Sequence, residues 1–153
     1  MKSDRGFSLI EIMVATAIVA IAAAFAVPNI VGWRTKQSFL SAASDVHEAV
    51  KTARSAAIKE NRQVVIQFDT ANRRFTVFSD VDKDGSQDSG ERTILSRTYR
   101  NDIVLNTGSL PSNCLTFDSR GLVTHPGTGI VLSHARFGSR TINITVTGNS
   151  RVQ

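Results

Sequence analysis

The chain has 153 residues, 41% of them hydrophobic and 20% charged, with a formal net charge of +5. That composition excludes a disordered chain, and a single cysteine, Cys114, excludes an intramolecular disulfide framework. The mild basicity is weak ground for a polyanion partner, but it is uneven. From Ile103 onward Asp118 is the only acid, against Arg120, Arg136, Arg140 and Arg151.

The first element is an apolar run over residues 9–27, interrupted only by Glu11 and Thr16. As a helix it spans about 28 Å, close to the hydrocarbon core of a bilayer. Lys2 and Arg5 precede it, and Trp33, Arg34 and Lys36 follow, with Trp33 suited to a membrane interface. Glu11 is the anomaly, because an ionised carboxylate inside a bilayer costs roughly 2.5–3.5 kcal/mol on insertion scales. Such a group either lies near the headgroups or has a partner. A third reading is a secretory signal peptide cut after Ala26, since Ala24-Phe25-Ala26 has the small-x-small form; Glu11 counts against it.

Pro28 and Gly32 are expected to bend or loosen this helix, which then resumes. Phe39, Ala43, Val46, Val50, Ala53 and Ala57 recur at alternating steps of four and three, the stripe of an amphipathic helix. Ser44, Asp45, Glu48, Lys51 and Arg54 form the wet face between them. Asn61 is a plausible C-terminal cap.

After Asn61 the hydrophobic period becomes two. Residues 63–68 and 75–78 read as a hairpin around Asn72-Arg73, followed by a polar loop over 80–91. Residues 93–99, 103–105, 114–117, 122–124, 130–133 and 141–147 read as further strands, separated by glycines and prolines. The expected class is therefore α+β: a long N-terminal helix, its first half transmembrane, then an antiparallel β domain of two small sheets. The globular domain is expected over 35–153, with the amphipathic helix over 35–61 and β structure over 62–153.

Catalytic patterns are missing. His47, His125 and His134 are scattered, and no HExxH, Ser-His-Asp order, cysteine pair or phosphate loop occurs. Cys114, flanked by Leu115 and Phe117, reads as a buried, inert thiol. The chain does not read as an enzyme.

The loop from Asp80 to Glu91 matches the twelve-position pattern of an EF-hand calcium loop. Asp80, Asp82 and Asp84 fall at places 1, 3 and 5, Gly85 at 6, Ser86 at 7, Asp88 at 9 and Glu91 at 12. Hard oxygen ligands at this alternation can converge on one Ca²⁺. Strand flanks instead of helices, and Gln87 where an aliphatic residue is usual, depart from the pattern. A solvated hairpin tip rich in Asp, Gly and Ser is the competing reading.

The N-terminus resembles the type IV prepilin signature. A short charged leader, MKSDRG, ends at Gly6; Phe7 would be the first mature residue; Ser-Leu-Ile follow, and Glu11 becomes the fifth mature residue. Pro28 sits where pilins commonly kink the helix. The resemblance implies that prepilin peptidase cuts after Gly6 and methylates the new amine on Phe7. It further implies that the helix leaves the bacterial inner membrane, with the C-terminal domain periplasmic, and packs into a filament. It thereby divides the N-terminus into a leader over 1–6 and a membrane and filament-core helix over 7–34. In the filament Glu11 would pair with a positively charged N-terminal amine, either its own or that of a neighbouring subunit. That account fits the physics, because a charge costly in lipid becomes tolerable beside an opposite charge in a dry bundle.

The remainder resembles the FimT/GspH class of minor pilins and pseudopilins, carried by AVKTARSAAIKENRQVVI from Ala49, LTFDSRGLV from Leu115 and TINITVTGNSRV from Thr141. This implies a low-abundance subunit that helps begin or cap a type IV pilus or a type II secretion pseudopilus, with other pilins as partners. FimT-type pilins of DNA uptake carry a C-terminal Gly-Arg-x-Arg motif; the matching stretch is Gly148-Asn149-Ser150-Arg151. Asn149 lacks the charge and bidentate fork of arginine. Arg136, Arg140 and Arg151 are the candidate phosphate contacts of a DNA-binding alternative.

Overall fold

The computed structural model describes residues 7–125 and 129–153. It contains one long helix, α1 (Leu9–Glu60), followed by eight strands: β1 (Gln63–Asp69), β2 (Arg74–Asp80), β3 (Thr93–Thr98), β4 (Ile103–Asn106), β5 (Cys114–Phe117), β6 (Gly129–His134), β7 (Gly138–Ile144) and β8 (Ser150–Val152). The chain divides into two compact units, the first ending at Gln37 and the second running from Ser38 to Gln153.

In the first unit the helix is bare. Leu9, Ile10, Ile18, Val19, Ile21 and Phe25 are all more than 60% exposed. A helix apolar all round with its large side chains exposed requires lipid or other helices around it. Leu9–Glu60 is the one helix among the described residues long and apolar enough to cross a membrane, with a window of mean hydropathy 2.4. Helical structure continues through Pro28 and Gly32.

The second unit uses α1 differently. Every member of the predicted stripe, from Phe39 to Ala57, is buried, joined by Ala42 and Ala49. The helix ends in a Schellman turn: Arg62 N donates to Ala57 O at 3.2 Å and Asn61 N to Ile58 O at 3.4 Å, with Asn61 at φ 51°. Asn61 tolerates that left-handed geometry better than most residues do. The chain then turns directly into β1.

The strands form two antiparallel sheets, ordered β3-β2-β1-β5 and β4-β6-β7-β8. One continuous core joins the helix stripe to Val64, Ile66 and Phe68 of β1, Phe75 and Val77 of β2, and Ile130, Leu132, Ile142 and Ile144 of the second sheet. Strand alternation sends Val65 to the other face of the first sheet, where it meets Phe78 and Cys114 in a small satellite cluster. Burial, and next Asp80, push the Cys114 thiol pKa up, consistent with an inert cysteine.

Two predicted strands need correction. Residues 122–124 form no strand, only an isolated bridge between Phe117 and Val123. The preceding residues are spent on a tight turn in which Asp118 Oδ1 accepts from Arg120 N and Leu122 N, with Gly121 at φ +76°. The run predicted over 141–147 is cut short, because β7 ends at Ile144. A turn closed by Thr145 N to Asn149 O and Gly148 N to Thr145 O then returns the chain as β8. The pairing of β7 with β8 was not legible in a three-residue apolar-poor segment.

Candidate functional site

Three places carry the candidate residues. At the N-terminus, Gly6 lies outside the described residues. Phe7 is 78% exposed, and Glu11 sits in the first turn of α1, its backbone N bonded to Ser8 O at 3.0 Å. The carboxylate is exposed, among exposed apolar neighbours. Among the described residues no cationic side chain lies within one helix turn of Glu11, and an approaching molecule can reach it.

The acidic loop lies between the end of β2 and the start of β3. Asp80, the last residue of β2, is buried, and its carboxylate organises the loop. Oδ1 accepts from Lys83 N at 2.6 Å; Oδ2 accepts from Gly85 N at 3.1 Å and from Gln63 Nε2 at 2.9 Å. Gly85, at φ +80°, makes the sharp bend. Glu91 folds back to the start of the loop, taking Val81 N on Oε1 at 2.7 Å and Asp88 N on Oε2 at 3.2 Å. One carboxylate oxygen each of Asp80, Asp82 and Asp84 lies within 4.8 Å of the others. Repulsion from Asp84 first, then burial, then Asp82, Glu91 and Asp80, raises the pKa of Asp88. The other four acids of the loop thus all bear on Asp88. Ser86 N donates to Asp84 Oδ1 at 2.7 Å.

The C-terminal arginines behave otherwise. Arg140 pairs with Leu132 across β7 and β6, on the inward parity shared with Ile142 and Ile144. Arg151 pairs with the exposed Asn143, on the opposite face. Directly opposed residues share a face, so Arg140 and Arg151 lean to different sides of the second sheet. Arg136 occupies the β6–β7 turn, held by its backbone N donating to His134 Nδ1 at 3.0 Å, with its guanidinium 5.8 Å from the Phe137 ring centroid. The strands do not gather Arg140 and Arg151 on one surface.

Sequence reasoning missed the neighbourhood of Asn149. Its Oδ1 accepts from Arg54 Nη1 at 2.7 Å, and the neighbouring Ser150 Oγ lies 2.8 Å from His47 Nδ1. The Gly148–Ser150 segment is thus clasped to α1 by two side-chain bonds from positions about a hundred residues upstream. Gly148, at φ +73°, allows the fit: a Cβ there would stand 2.6 Å from Gly121 O. Only the unlike residues Asn149 and Arg54, read as a pair, could have suggested it, and nothing local pairs them.

A family model described as type II transport protein GspH matches residues 42–150, and one described as the prokaryotic N-terminal methylation motif matches residues 1–27. The chain belongs to the GspH family. The two matches divide the molecule much as the structure does, into an N-terminal segment matching the methylation motif and a globular domain. The fold is similar to that of the type IV minor pilin FimU of Pseudomonas aeruginosa, with a TM-score of 0.62 at 19% identity over 79% of this chain and 90% of that one. It is also similar to the minor pseudopilin EpsH of the Vibrio cholerae type 2 secretion system, with a TM-score of 0.55 at 16% identity over 73% of this chain and 93% of that one. At those identities the likeness concerns the fold. A fimbrial protein of Pseudomonas aeruginosa is 40% identical over 65 residues; the match spans 42% of this chain and 42% of that protein's length. This GspH-family chain therefore has the pilin-like α+β architecture read from its sequence.

Proposed function

We propose that this chain is a minor subunit of a type IV pilus or a type II secretion pseudopilus that helps initiate or cap the filament. It is held in the inner membrane by residues 9–27 with its β domain in the periplasm until it polymerises. Prepilin peptidase cuts after Gly6 and methylates the Phe7 amine, and Glu11 pairs with such an amine on a neighbouring pilin. The observation that carries this reading is the bare apolar half of α1 with an exposed Glu11 in its first turn, joined to a GspH-family domain. Lipid alone satisfies the apolar surface but not the carboxylate; a neighbouring helix with a charged amine satisfies both. The test is Glu11→Val in the producing cell. Membrane insertion should persist, mass spectrometry should still find the mature N-terminus at Phe7, and the subunit should vanish from sheared or purified filaments. A Glu11→Val subunit that enters filaments at the wild-type level would overturn the pairing role.

A second component of the proposal is Ca²⁺ binding by the acidic loop. Supporting it are the three convergent carboxylates of Asp80, Asp82 and Asp84, with Ser86, Asp88 and Glu91 at the remaining EF-hand positions. A bound divalent cation would relieve the repulsion that raises the Asp88 pKa. Because the flanks are strands, it would brace the β2–β3 connection. Binding to the folded state alone raises stability, by about 2.7 kcal/mol at a hundredfold excess over Kd. Millimolar Ca²⁺ should raise the Tm of the chain in detergent, EDTA should reverse it, and Asp82→Asn with Asp84→Asn should abolish the difference. An unchanged Tm in the unsubstituted chain removes Ca²⁺ from the proposal and leaves the filament role intact.

A further inference from the structure

The exposed face of α1 in the second unit carries two adjoining grooves separated by the ridge of Lys51 and Ser55, which line both. One, of about 590 Å³, lies between that ridge and the start of β3, with Lys59, Glu60 and Arg92 on its walls. The other, of about 480 Å³, lies between the ridge and the Gly148–Ser150 segment, with Arg54 and Ile58 on its walls. Glu60 is the one acid lining either groove, and Arg92 already neutralises it at 2.7 Å. Arg54 is tied to Asn149. Lys51 and Lys59 make no ion pair among the described residues, and both are exposed. Ile58, on the wall of the second groove, leaves half its surface in solvent.

That combination selects a kind of partner. The two lysines ask for carboxylates or phosphates. Concavities of this size admit side chains, whereas the broad cylinder of a duplex rides on projecting cations instead of entering grooves. The bare Ile58 has a use against an apolar side chain and none against a phosphate backbone. We infer that the two grooves receive an acidic, extended segment of a neighbouring filament subunit, with its carboxylates against Lys51 and Lys59 and an apolar side chain over Ile58. This inference rests on the reading of the chain as a filament subunit.

The experiment places a photoreactive benzophenone residue at Ser55, on the ridge, and separately at Ile21 in the apolar helix, in full-length chain made in cells that assemble the filament. The Ser55 position should yield an adduct with another pilin, attached by mass spectrometry within a stretch rich in Asp and Glu. Lys51→Glu with Lys59→Glu should cut that yield at least about fivefold, with an unchanged Tm. Arg74→Glu with Arg97→Glu, a charge-matched pair on β2 and β3, should not. An Ile21 adduct without a Ser55 adduct would overturn the inference and leave the filament reading standing. So would a Ser55 adduct on a segment without acids, or one indifferent to the lysine reversals. Retention of duplex DNA by the full chain in detergent, lost on the same lysine reversals, would assign the surface to nucleic acid instead. Loss of pilin adducts at both positions would bring down the filament reading and this inference with it.

Discussion

The two halves of α1 share one backbone geometry and differ in what completes them. From Leu9 to Trp33 the large apolar side chains are exposed, and from Phe39 to Ala57 the apolar stripe is buried by β strands of the same chain. The first half is unfinished without other molecules; the second is finished by its own domain. Mutations should therefore separate: changes in the first half alter where the subunit goes, and changes in the buried stripe of the second alter whether the domain stays folded.

The largest expected effect in the domain tests that separation. Ile66 is fully buried in the core that α1 shares with both sheets. Ile66→Ala should destabilise the domain by about 2–5 kcal/mol, from lost burial and the cavity left behind. Chemical denaturation of the chain in detergent would measure it. Membrane insertion and cleavage after Gly6 should be untouched. If processing fails with the core, the two halves are coupled and the comparison breaks.

The halves also differ in how far the sequence alone discloses them. The N-terminal half discloses its helix locally, because an apolar run with basic flanks is written within one segment, and the methylation-motif match covers the same residues, 1–27. The amphipathic stripe and the Asn61 terminus are legible for the same reason, since period and cap are written within a few residues. The β1–β2 hairpin and the strand ends of the acidic loop follow from local turn chemistry. What escaped depends on register or on distance. Whether Arg140 and Arg151 face together turns on parity across β6, β7 and β8, which no local pattern states. The Asn149–Arg54 bond links positions 95 apart. Asn149 looked like a lost charge, while the structure gives it a specific acceptor role.

That clasp offers an intermediate effect. Gly148→Ala forces a side chain into left-handed backbone and against Gly121 O. The strain should cost ~1–3 kcal/mol. The loss should show first as faster amide exchange in Thr145–Val152, with the helix core protected. Uniform loss of protection across the domain would mean that the C-terminal hairpin is part of the main cooperative unit instead of a segment fastened to it.

The smallest effect concerns the other member of the clasp. Burial first, then the nearby Lys51 charge, holds the His47 pKa below its ordinary value. In the folded chain His47 is thus kept neutral to lower pH than in the unfolded chain, where it protonates near pH 6.5. Below that pH the unfolded state binds more protons, so stability falls as pH drops from about 6.5 through the folded-state pKa. Protonation also removes the ring acceptor that can take the Ser150 hydroxyl hydrogen at 2.8 Å. The Tm of the wild-type chain should decline over that window before the carboxylates titrate, and His47→Gln should flatten the decline. Because the group is partly exposed, the slope should be shallow, and it belongs wholly to the finished half of α1. Exchange protection at Ser150 should track it, whereas membrane insertion of residues 9–27 should be the same at both ends of the pH range.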